Sequence, residues 1–256
     1  MTLYPRNHLK QLLAERKTAL GYWLSLNSLG VTEIAAGAGY DWLLLDAEHA
    51  LYTPESIERH VLAAHHAGTN TELVVRVPVT EPVLIKQLLD AGVRSFMFPF
   101  VQDEEEAKLA VASTRYPPRG VRGFSGATRA SRYGRDKSYL ATHEDDLLVI
   151  IQIETPQAVA NIADYGKIDG IDAMLIGAND LAANMGHLGD TLHPEVVAKI
   201  DEARAAIVAT GKAAGFQFFD HARARGLIGQ GFTLAAVDGD INTMLRGTAE
   251  TLAALR

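Results

Sequence analysis

The chain contains no cysteine among its 256 residues, which excludes disulfide bonds and thiolate metal sites. Long apolar runs are also missing, and no stretch approaches the length of a membrane-spanning helix. The first residues, "MTLYPRNHLKQLLAERK", form an amphipathic pattern rather than the continuous apolar segment of a signal peptide. These absences predict a cytoplasmic protein with no membrane partner.

Three nucleotide-binding or catalytic motifs are absent as well: the P-loop, the glycine-rich dinucleotide fingerprint and the nucleophile elbow. We therefore expect no organic cofactor. The formal net charge of −7 argues against nucleic acid as a partner. The composition, 48% hydrophobic and 21% charged, is that of an ordinary globular protein, and an α/β barrel of this length is often one domain.

Eight short apolar segments recur along the chain, and several are nearly continuous, as in strands covered on both faces. They lie at 19–26, 40–47, 72–79, 93–101, 147–154, 170–177, 212–219 and 232–239. Amphipathic helical patterns separate them, at 31–39, 54–68, 81–92, 103–116, 155–166, 193–211, 220–231 and 241–255. This alternation predicts an α/β fold, a (β/α)8 TIM barrel formed by residues 1–256 as one domain. A doubly wound open sheet is the alternative.

Two segments fall outside the repeat. Residues 5–17 predict an extra N-terminal helix that covers the amino-terminal mouth of the barrel. Residues 116–140 form a long insertion rich in glycine, proline and arginine. Long loops are usually functional or disordered, and the aromatic residues here favour an ordered loop near a site or a subunit contact. A solvated basic loop is the alternative.

The active site of such a barrel lies at the carboxyl ends of its strands. Polar side chains do follow several of the predicted strands. They are Asp46, Glu48, His49, Arg76, Gln152, Glu154, Asp180, Gln217, Asp238 and Asp240. None of the eight lysines lies at such a position, so no candidate exists for a Schiff-base nucleophile.

Glu154 and Asp180 follow neighbouring predicted strands, and two carboxylates in one partly desolvated site need a shared proton or a cation. A hard divalent ion such as Mg²⁺ or Mn²⁺ suits them. Each acid alone could instead be a helix cap. The turn "GANDL" at 177–181 has backbone amides that could bind a substrate carboxylate or a phosphate.

Arg76 lies within an apolar strand, where a guanidinium needs anionic neighbours. It could form a structural ion pair with Glu48 or stabilise an oxyanion on the substrate. His49 could carry a proton if it faces the mouth, although a structural hydrogen bond is the more common role. Asp90, late in a predicted helix, would ordinarily be a solvated acid.

Several motifs together resemble the metal-dependent pyruvate aldolases of the HpcH/HpaI family. They are "GYDWLLLDAEHA", "VVRVP", "LIKQLLDAGV", "TRYPPRGVRG", "TRASRYG", "IQIET" and "IGANDLA", and they cover nearly the whole chain in order. The family includes 4-hydroxy-2-oxoheptanedioate, 2-keto-3-deoxy-L-rhamnonate and hydroxypyruvate aldolases. The resemblance implies a (β/α)8 barrel and a homohexamer, a dimer of trimers in which helix eight packs on a neighbouring subunit.

The resemblance also implies roles for individual residues. The metal ligands are Glu154 and Asp180, for Mg²⁺, Mn²⁺ or Co²⁺; the catalytic residues are His49, Arg76 and Asp90; keto-acid contacts come from Gln152, Gly177, Ala178, Asn179 and Asp180. Phe216 is a further predicted substrate contact because it lies at the end of the seventh predicted strand. Asp90 would raise the basicity of His49, which overrides its interpretation as a surface acid.

Three departures from the family pattern concern the acceptor site rather than the metal ligands. Ala178 replaces a usual proline, the segment "GFSGATRAS" is about one residue short, and Phe216 and Phe218 stand where smaller aliphatics are common. Leu51, Phe124 and Ser125 are further candidates for the acceptor pocket.

The function implied is a class II aldolase that reversibly cleaves 4-hydroxy-2-oxo acids to pyruvate or hydroxypyruvate and an aldehyde. Other metal-enolate chemistry, such as oxaloacetate decarboxylation, is an alternative, and a non-catalytic barrel that binds keto acids is a third.

Overall fold

Eight parallel strands close into a barrel in the order in which they occur in the chain. The computed structural model describes residues 6–256. The strands are β1 Ala19–Leu24, β2 Trp42–Asp46, β3 Glu72–Arg76, β4 Ser95–Phe98, β5 Leu148–Ile153, β6 Ala173–Ile176, β7 Ala213–Gln217 and β8 Leu234–Gly239. Pairing of β1 with β8 closes the barrel. The predicted (β/α)8 fold is confirmed, and the open-sheet alternative is wrong.

Helices surround the barrel and follow the predicted patterns. They are α1 His8–Ala14, α2 Leu29–Gly37, α3 Pro54–His66, α4 Pro82–Asp90, α5 Glu104–Thr114, α6 Tyr139–Thr142, α7 Pro156–Ala160, α8 Ile162–Tyr165, α9 Ala178–Asn184, α10 Pro194–Ala209, α11 His221–Gly229 and α12 Asp240–Leu255. The pattern at 155–166 splits into α7 and α8. The short helix α6 was not predicted, whereas α9 begins within the predicted strand-to-helix turn at 177–181.

Side chains along each strand alternate between the barrel interior and the layer under the helices, because successive residues of a strand point to opposite faces. In β2, Trp42 and Leu44 belong to the interior cluster, whereas Leu43 and Leu45 pack in the outer layer. The same alternation directs Asp46, the next residue of the inward series, into the barrel. The apolar strand thus ends in an inward-facing acid at the carboxyl-terminal mouth.

The opposite mouth of the barrel is covered by α1. Leu9 and Leu13 of this helix are buried in the same cluster as the barrel interior. Asn7 caps the helix and also donates from Nδ2 to Ser95 Oγ, at 2.9 Å, which ties it to the start of β4. The predicted N-terminal helix is therefore present over His8–Ala14; residue 5 of its predicted range lies outside the described residues.

The insertion at 116–140 packs on the end of α4 through Arg122, which is 1% exposed. Its guanidinium donates to Asp90 Oδ1 at 2.7 Å and to Tyr139 Oη at 3.1 Å, and stacks 4.4 Å from the ring centre of Tyr116. A buried arginine with an ionic partner and aromatic faces anchors a loop firmly. The segment is thus an ordered loop, as favoured, but it is fixed to α4 rather than to the barrel mouth.

Within residues 6–256, no helix is both long enough and apolar enough to pass through a bilayer.

Candidate active site

A cavity of about 610 Å³ opens at the carboxyl ends of the strands. Its lining is mainly polar and includes most of the residues that sequence patterns single out. The lining residues are Trp23, Ser25, Asp46, His49, Arg76, Gln152, Glu154, Gly177, Ala178, Asn179, Asp180, Thr191, Gln217, Phe218, Phe219, Gly239, Asp240, Ile241 and Asn242. The location is the one where barrel enzymes build their catalytic sites.

Arg76, the last residue of β3, is fixed by carboxylates of the neighbouring strand. Asp46 is its partner in the β2–β3 register and accepts from Nε at 3.0 Å and from Nη2 at 2.7 Å. Glu48 lies 3.1 Å from Nη1, and the guanidinium carbon lies 4.8 Å from the Trp23 ring centre. Arg76 is only 6% exposed, and its bidentate pair with Asp46 holds the guanidinium in one orientation at the cavity wall.

The two acids around Arg76 have opposite pKa shifts. Burial favours a higher pKa for Asp46, but hydrogen bonds from Arg76 and Trp23 outweigh it, and the pKa lies below the usual value. Burial raises the pKa of Glu48, and the attraction of Arg76 and His49 only partly offsets that effect. Asp46 is therefore a fixed negative partner of the arginine, while Glu48 holds its charge less firmly.

Glu154 follows β5 and lies buried against β6. Its Oε2 accepts from the backbone N–H of Phe100 at 2.8 Å, and its Oε1 accepts from Gln152 Nε2 at 3.0 Å. A side-chain carbon placed on Gly177 would come 2.6 Å from Glu154 Cγ and 2.5 Å from Oε1. The glutamate therefore occupies the space that any other residue at 177 would fill.

The electrostatics of Glu154 favour a cation beside it. Burial raises its pKa to about 7, and the negative charges of Asp180 and Glu48 contribute to that rise. Asp180 lies in the first turn of α9, is exposed, and lines the same cavity. Both acids offer oxygen ligands in a polar cavity, and the charge of the buried Glu154 is only partly neutralised by its neighbours. Such a pair of side chains suits a hard divalent ion. The residues present thus fit the metal that the sequence resemblance implies.

The segment after β6 contributes backbone as well as the acid. Gly177, Ala178 and Asn179 line the cavity where the chain turns from β6 into α9. Gln152 of the neighbouring strand β5 also lines the cavity, and its side-chain Oε1 has no hydrogen-bond partner among the described residues. These groups could bind the polar atoms of a small acid.

His49 lines the cavity, with 67% of its side chain exposed. Its Nε2 lies 3.7 Å from Glu48 Oε2, and its backbone N–H donates to Asp46 Oδ1 at 3.2 Å. The ring is therefore accessible from the cavity, as proton transfer requires.

Asp90, predicted to act on His49, is not beside it within one chain. The carboxylate is engaged by Arg122 of the insertion, and Asp90 is not among the residues that line the cavity. The reason is its position at the last residue of α4, where the side chain faces the loop after α5. The pairing of Asp90 with His49 is thus not formed inside the described chain, and the catalytic role of Asp90 stays a prediction.

Phe216 was predicted to contact the substrate, but it is not among the residues that line the cavity. It is 1% exposed and packs edge-to-face on Phe232 in the outer layer, with ring centres 5.3 Å apart. Strand alternation is the cause: within β7 the inward positions are Ala213, Gly215 and Gln217. Gln217 lines the cavity in its place, together with Phe218 and Phe219 beyond the strand.

Leu51 and Phe124, suggested for the acceptor pocket, are 92% and 65% exposed and do not line the cavity of the described chain. Conversely, the sequence patterns single out Asp46 as a strand-end acid but not as the partner of Arg76, and they do not single out Trp23, whose ring lies beside the guanidinium. The inward-facing series of β2 and β7 end in Asp46 and Gln217, so strand alternation would have favoured Gln217 over Phe216 as the residue that faces the cavity.

Comparison with known proteins agrees with this architecture. The sequence model of the HpcH/HpaI aldolase/citrate lyase family matches residues 19–246. The chain belongs to this family. The resemblance inferred from the motifs is confirmed, and the protein is an enzyme, a lyase of the aldolase type.

Among its relatives, a pyruvate aldolase of Rhizobium etli is 42% identical over 250 residues, which covers 98% of this chain and 97% of the relative. A 4-hydroxy-2-oxo-heptane-1,7-dioate aldolase of Salmonella dublin is also 42% identical, with 97% and 94% of the two chains covered. A solved structure of an HpcH/HpaI aldolase/citrate lyase family protein from Burkholderia cenocepacia shares 38% identity, with a TM-score of 0.95 over 98% of this chain and 99% of that one.

Proposed function

We propose that this enzyme is a class II aldolase that cleaves 4-hydroxy-2-oxo acids to pyruvate or hydroxypyruvate and an aldehyde, and forms them in reverse. The single observation that carries the proposal is the convergence of Glu154, Asp180 and the fixed Arg76 on one cavity. The names of the two relatives at 42% identity support pyruvate as the product. The absence of lysine from the described cavity lining argues against a Schiff base.

Glu154 and Asp180 would hold the divalent ion, Mg²⁺, Mn²⁺ or Co²⁺. When bound, it would act as a Lewis acid that makes the protons beside the substrate carbonyl more acidic. We assign no organic cofactor. Gln152 and the Gly177–Asn179 backbone would bind the keto acid next to these two carboxylates.

Arg76 would stabilise the negative charge that develops on the substrate oxygen. Asp46 and Glu48 hold it in place before the substrate arrives, so that little reorganisation is needed during the reaction. His49 would move the proton, because its ring is exposed to the cavity and lies near Glu48. Thr191, Gln217, Phe218 and Phe219 complete the wall and would contact the aldehyde.

The test combines metal removal with substitution. Cleavage of a 4-hydroxy-2-oxo acid should stop in EDTA and return with Mg²⁺ or Mn²⁺, and Asp180→Ala should abolish turnover. Asp201→Ala, an exposed acid on α10, is the control and should retain activity. Borohydride in the presence of pyruvate should not inactivate the enzyme. Normal activity of Asp180→Ala, or full activity in EDTA, would refute the metal assignment.

We further propose that the chain assembles as a homohexamer, a dimer of trimers, in the cytoplasm. The support is the apolar face of α12, on which Met244, Leu245 and Leu252 are 56%, 63% and 51% exposed. A groove of about 650 Å³ lies between α12 and α2, where Ile34 is 75% exposed. Faces of this kind mark protein contacts, and a neighbouring copy would cover this one.

The mass of the enzyme in solution tests the assembly. Light scattering after size exclusion should give six times the 27.7 kDa of one chain. Met244→Glu would place a charge in the apolar face and should reduce that mass, whereas Glu250→Gln should leave it unchanged. A monomer for the unmodified enzyme would refute the assembly.

A further inference from the structure

A group of side chains whose atoms could coordinate a metal lies apart from Glu154 and Asp180. His187, His193 and Glu195 each offer a ligand atom, and these three atoms lie within 4.8 Å of one another. The two histidine rings stack with their centres 3.6 Å apart, and His187 Nε2 lies 3.1 Å from Glu195 Oε2. None of the three lines the catalytic cavity. We propose that they form a separate site for Zn²⁺ or a similar transition ion.

The backbone between α9 and α10 brings these residues together. His187 N–H donates to Ala182 O at 2.8 Å, just after Gly186, whose φ of +86° turns the chain at the end of α9. Asp190 N–H donates back to His187 O at 2.9 Å, and His193 N–H donates to Asp190 O at 3.2 Å. Two successive turns thus return the chain to His187 six residues later, at the start of α10.

His193 is an uncommon residue for its position. It is the N-cap of α10, where Ser, Thr, Asp and Asn are preferred. Its Nδ1 accepts from the Glu195 N–H at 3.4 Å, a long contact that contributes little as a cap. Coordination of an ion by this imidazole would replace a weak interaction, so the helix start gives up little when the ion binds.

The donor set selects the ion. Imidazole nitrogen favours Zn²⁺, Ni²⁺, Cu²⁺ and Co²⁺, whereas Mg²⁺ prefers oxygen ligands and keeps its waters. A tetrahedral zinc site with ordinary bond lengths places its ligand atoms roughly 3.4 Å apart. Because the two rings lie face to face, with 16° between their planes, one imidazole must rotate to direct its nitrogen at a shared ion. Glu195, with 70% of its side chain exposed, has room to follow.

The site would connect to the catalytic mouth through Thr191, which lies between the two histidines in the chain and lines the cavity. α9 carries Asp180 at one end of the same connection. An ion held by His187 and His193 would fix the segment 186–193 at both ends. Its role is therefore to hold this part of the mouth, and it takes no part in the chemistry.

Zinc stoichiometry tests the site, and this test is independent of the proposed aldolase reaction. A chain with Glu154→Gln and Asp180→Asn removes the catalytic carboxylates and serves as background. After dialysis against Zn²⁺ and then buffer, this background should retain one zinc per chain, and excess Mg²⁺ should not displace it. Adding His187→Asn and His193→Asn should abolish retention, because asparagine keeps the cap of α10 without an imidazole.

His66→Ala is the matched control, because His66 pairs with a single acid, Glu33, at 3.9 Å on the surface of α3. It should leave zinc retention unchanged. Hydrogen exchange provides the second readout: Zn²⁺ should slow exchange of the amides at 186–193 in the background chain and not in the double histidine variant. The proposal would be overturned if the chains with and without the two histidines retained equal amounts of zinc, or if excess Mg²⁺ displaced the zinc from the background chain. Unchanged exchange at 186–193 with zinc bound would overturn its structural role.

Discussion

Gly177→Ala tests the proposed metal site without removing a ligand. The added methyl carbon would lie 2.5 Å from Glu154 Oε1 and 2.6 Å from Cγ, while ordinary contact begins at 3.4 Å. The glutamate must therefore move by about 1 Å, and a misplacement of that size near reacting groups can cost about 100-fold in rate. The backbone at Gly177 has φ −83°, which alanine adopts without strain, so the fold should tolerate the change.

The assay compares turnover, Mn²⁺ affinity and thermal unfolding of the variant with those of the unmodified enzyme. We expect turnover lower by about 100-fold, weaker Mn²⁺ binding by calorimetry, and little change in the unfolding temperature. Gly226→Ala in α11 is the matched control, since a methyl carbon added there would meet no atom within 4 Å. It should leave turnover and Mn²⁺ affinity unchanged and raise the unfolding temperature slightly, because alanine favours a helix more than glycine does. If Gly177→Ala binds Mn²⁺ and turns over as well as the unmodified enzyme, the role of Glu154 as a ligand is refuted.

Three further predictions concern charge. Asp46→Asn removes the charge of the buried partner of Arg76 and should lower the free energy of unfolding by about 3 kcal/mol in urea titrations. It should also reduce turnover, whereas Asp201→Asn should change neither the free energy of unfolding nor turnover. An Asp46→Asn variant with unchanged stability and turnover would contradict the role of the Asp46–Arg76 pair. Because the pKa of Glu154 is raised to about 7, protons should compete with the cation for this carboxylate. The affinity for Mn²⁺ should fall by about tenfold per pH unit below pH 7. A constant Mn²⁺ affinity from pH 8 to pH 6 would contradict the role of Glu154 as a ligand. Burial lowers the pKa of His60 to about 4, so between about pH 4 and 6.5 the unfolded chain binds more protons than the folded chain. The free energy of unfolding should therefore fall with decreasing pH in this range, by at most about 1.4 kcal/mol per pH unit. Urea unfolding at pH 5 and 7 should show a smaller pH dependence for His60→Gln, and an unchanged dependence would exclude His60 as its source.

The barrel could be predicted from sequence because its strands are buried on both faces and therefore stand out as continuous apolar runs between helical patterns. Only the start of helix α9 was predicted, as a strand-to-helix turn, because "ANDLAAN" has no long apolar stripe. These seven residues are stabilised by packing on α10 rather than by their own periodicity.

The site could be predicted as a set of strand ends but not as contacts. Phe216 was predicted to contact the substrate because it lies near the end of β7. The prediction did not consider which face of the strand the side chain occupies, and a shift of one residue exchanges the two faces. The pair of Asp46 with Arg76 spans 30 residues, and only the barrel register places them side by side. Asp90 faces Arg122 for a similar reason, since the path of the insertion is not encoded in any local pattern.

Asp240 joins two regions that are otherwise separate. As the first residue of α12 it accepts from the backbone N–H groups of Ser25 and Leu26, and it lines the catalytic cavity. The helix whose far surface is apolar thus begins in the wall that the substrate meets. Surface redesign of that helix is therefore a route to altering turnover from a distance, and engineering of quaternary structure and of substrate scope should be attempted jointly.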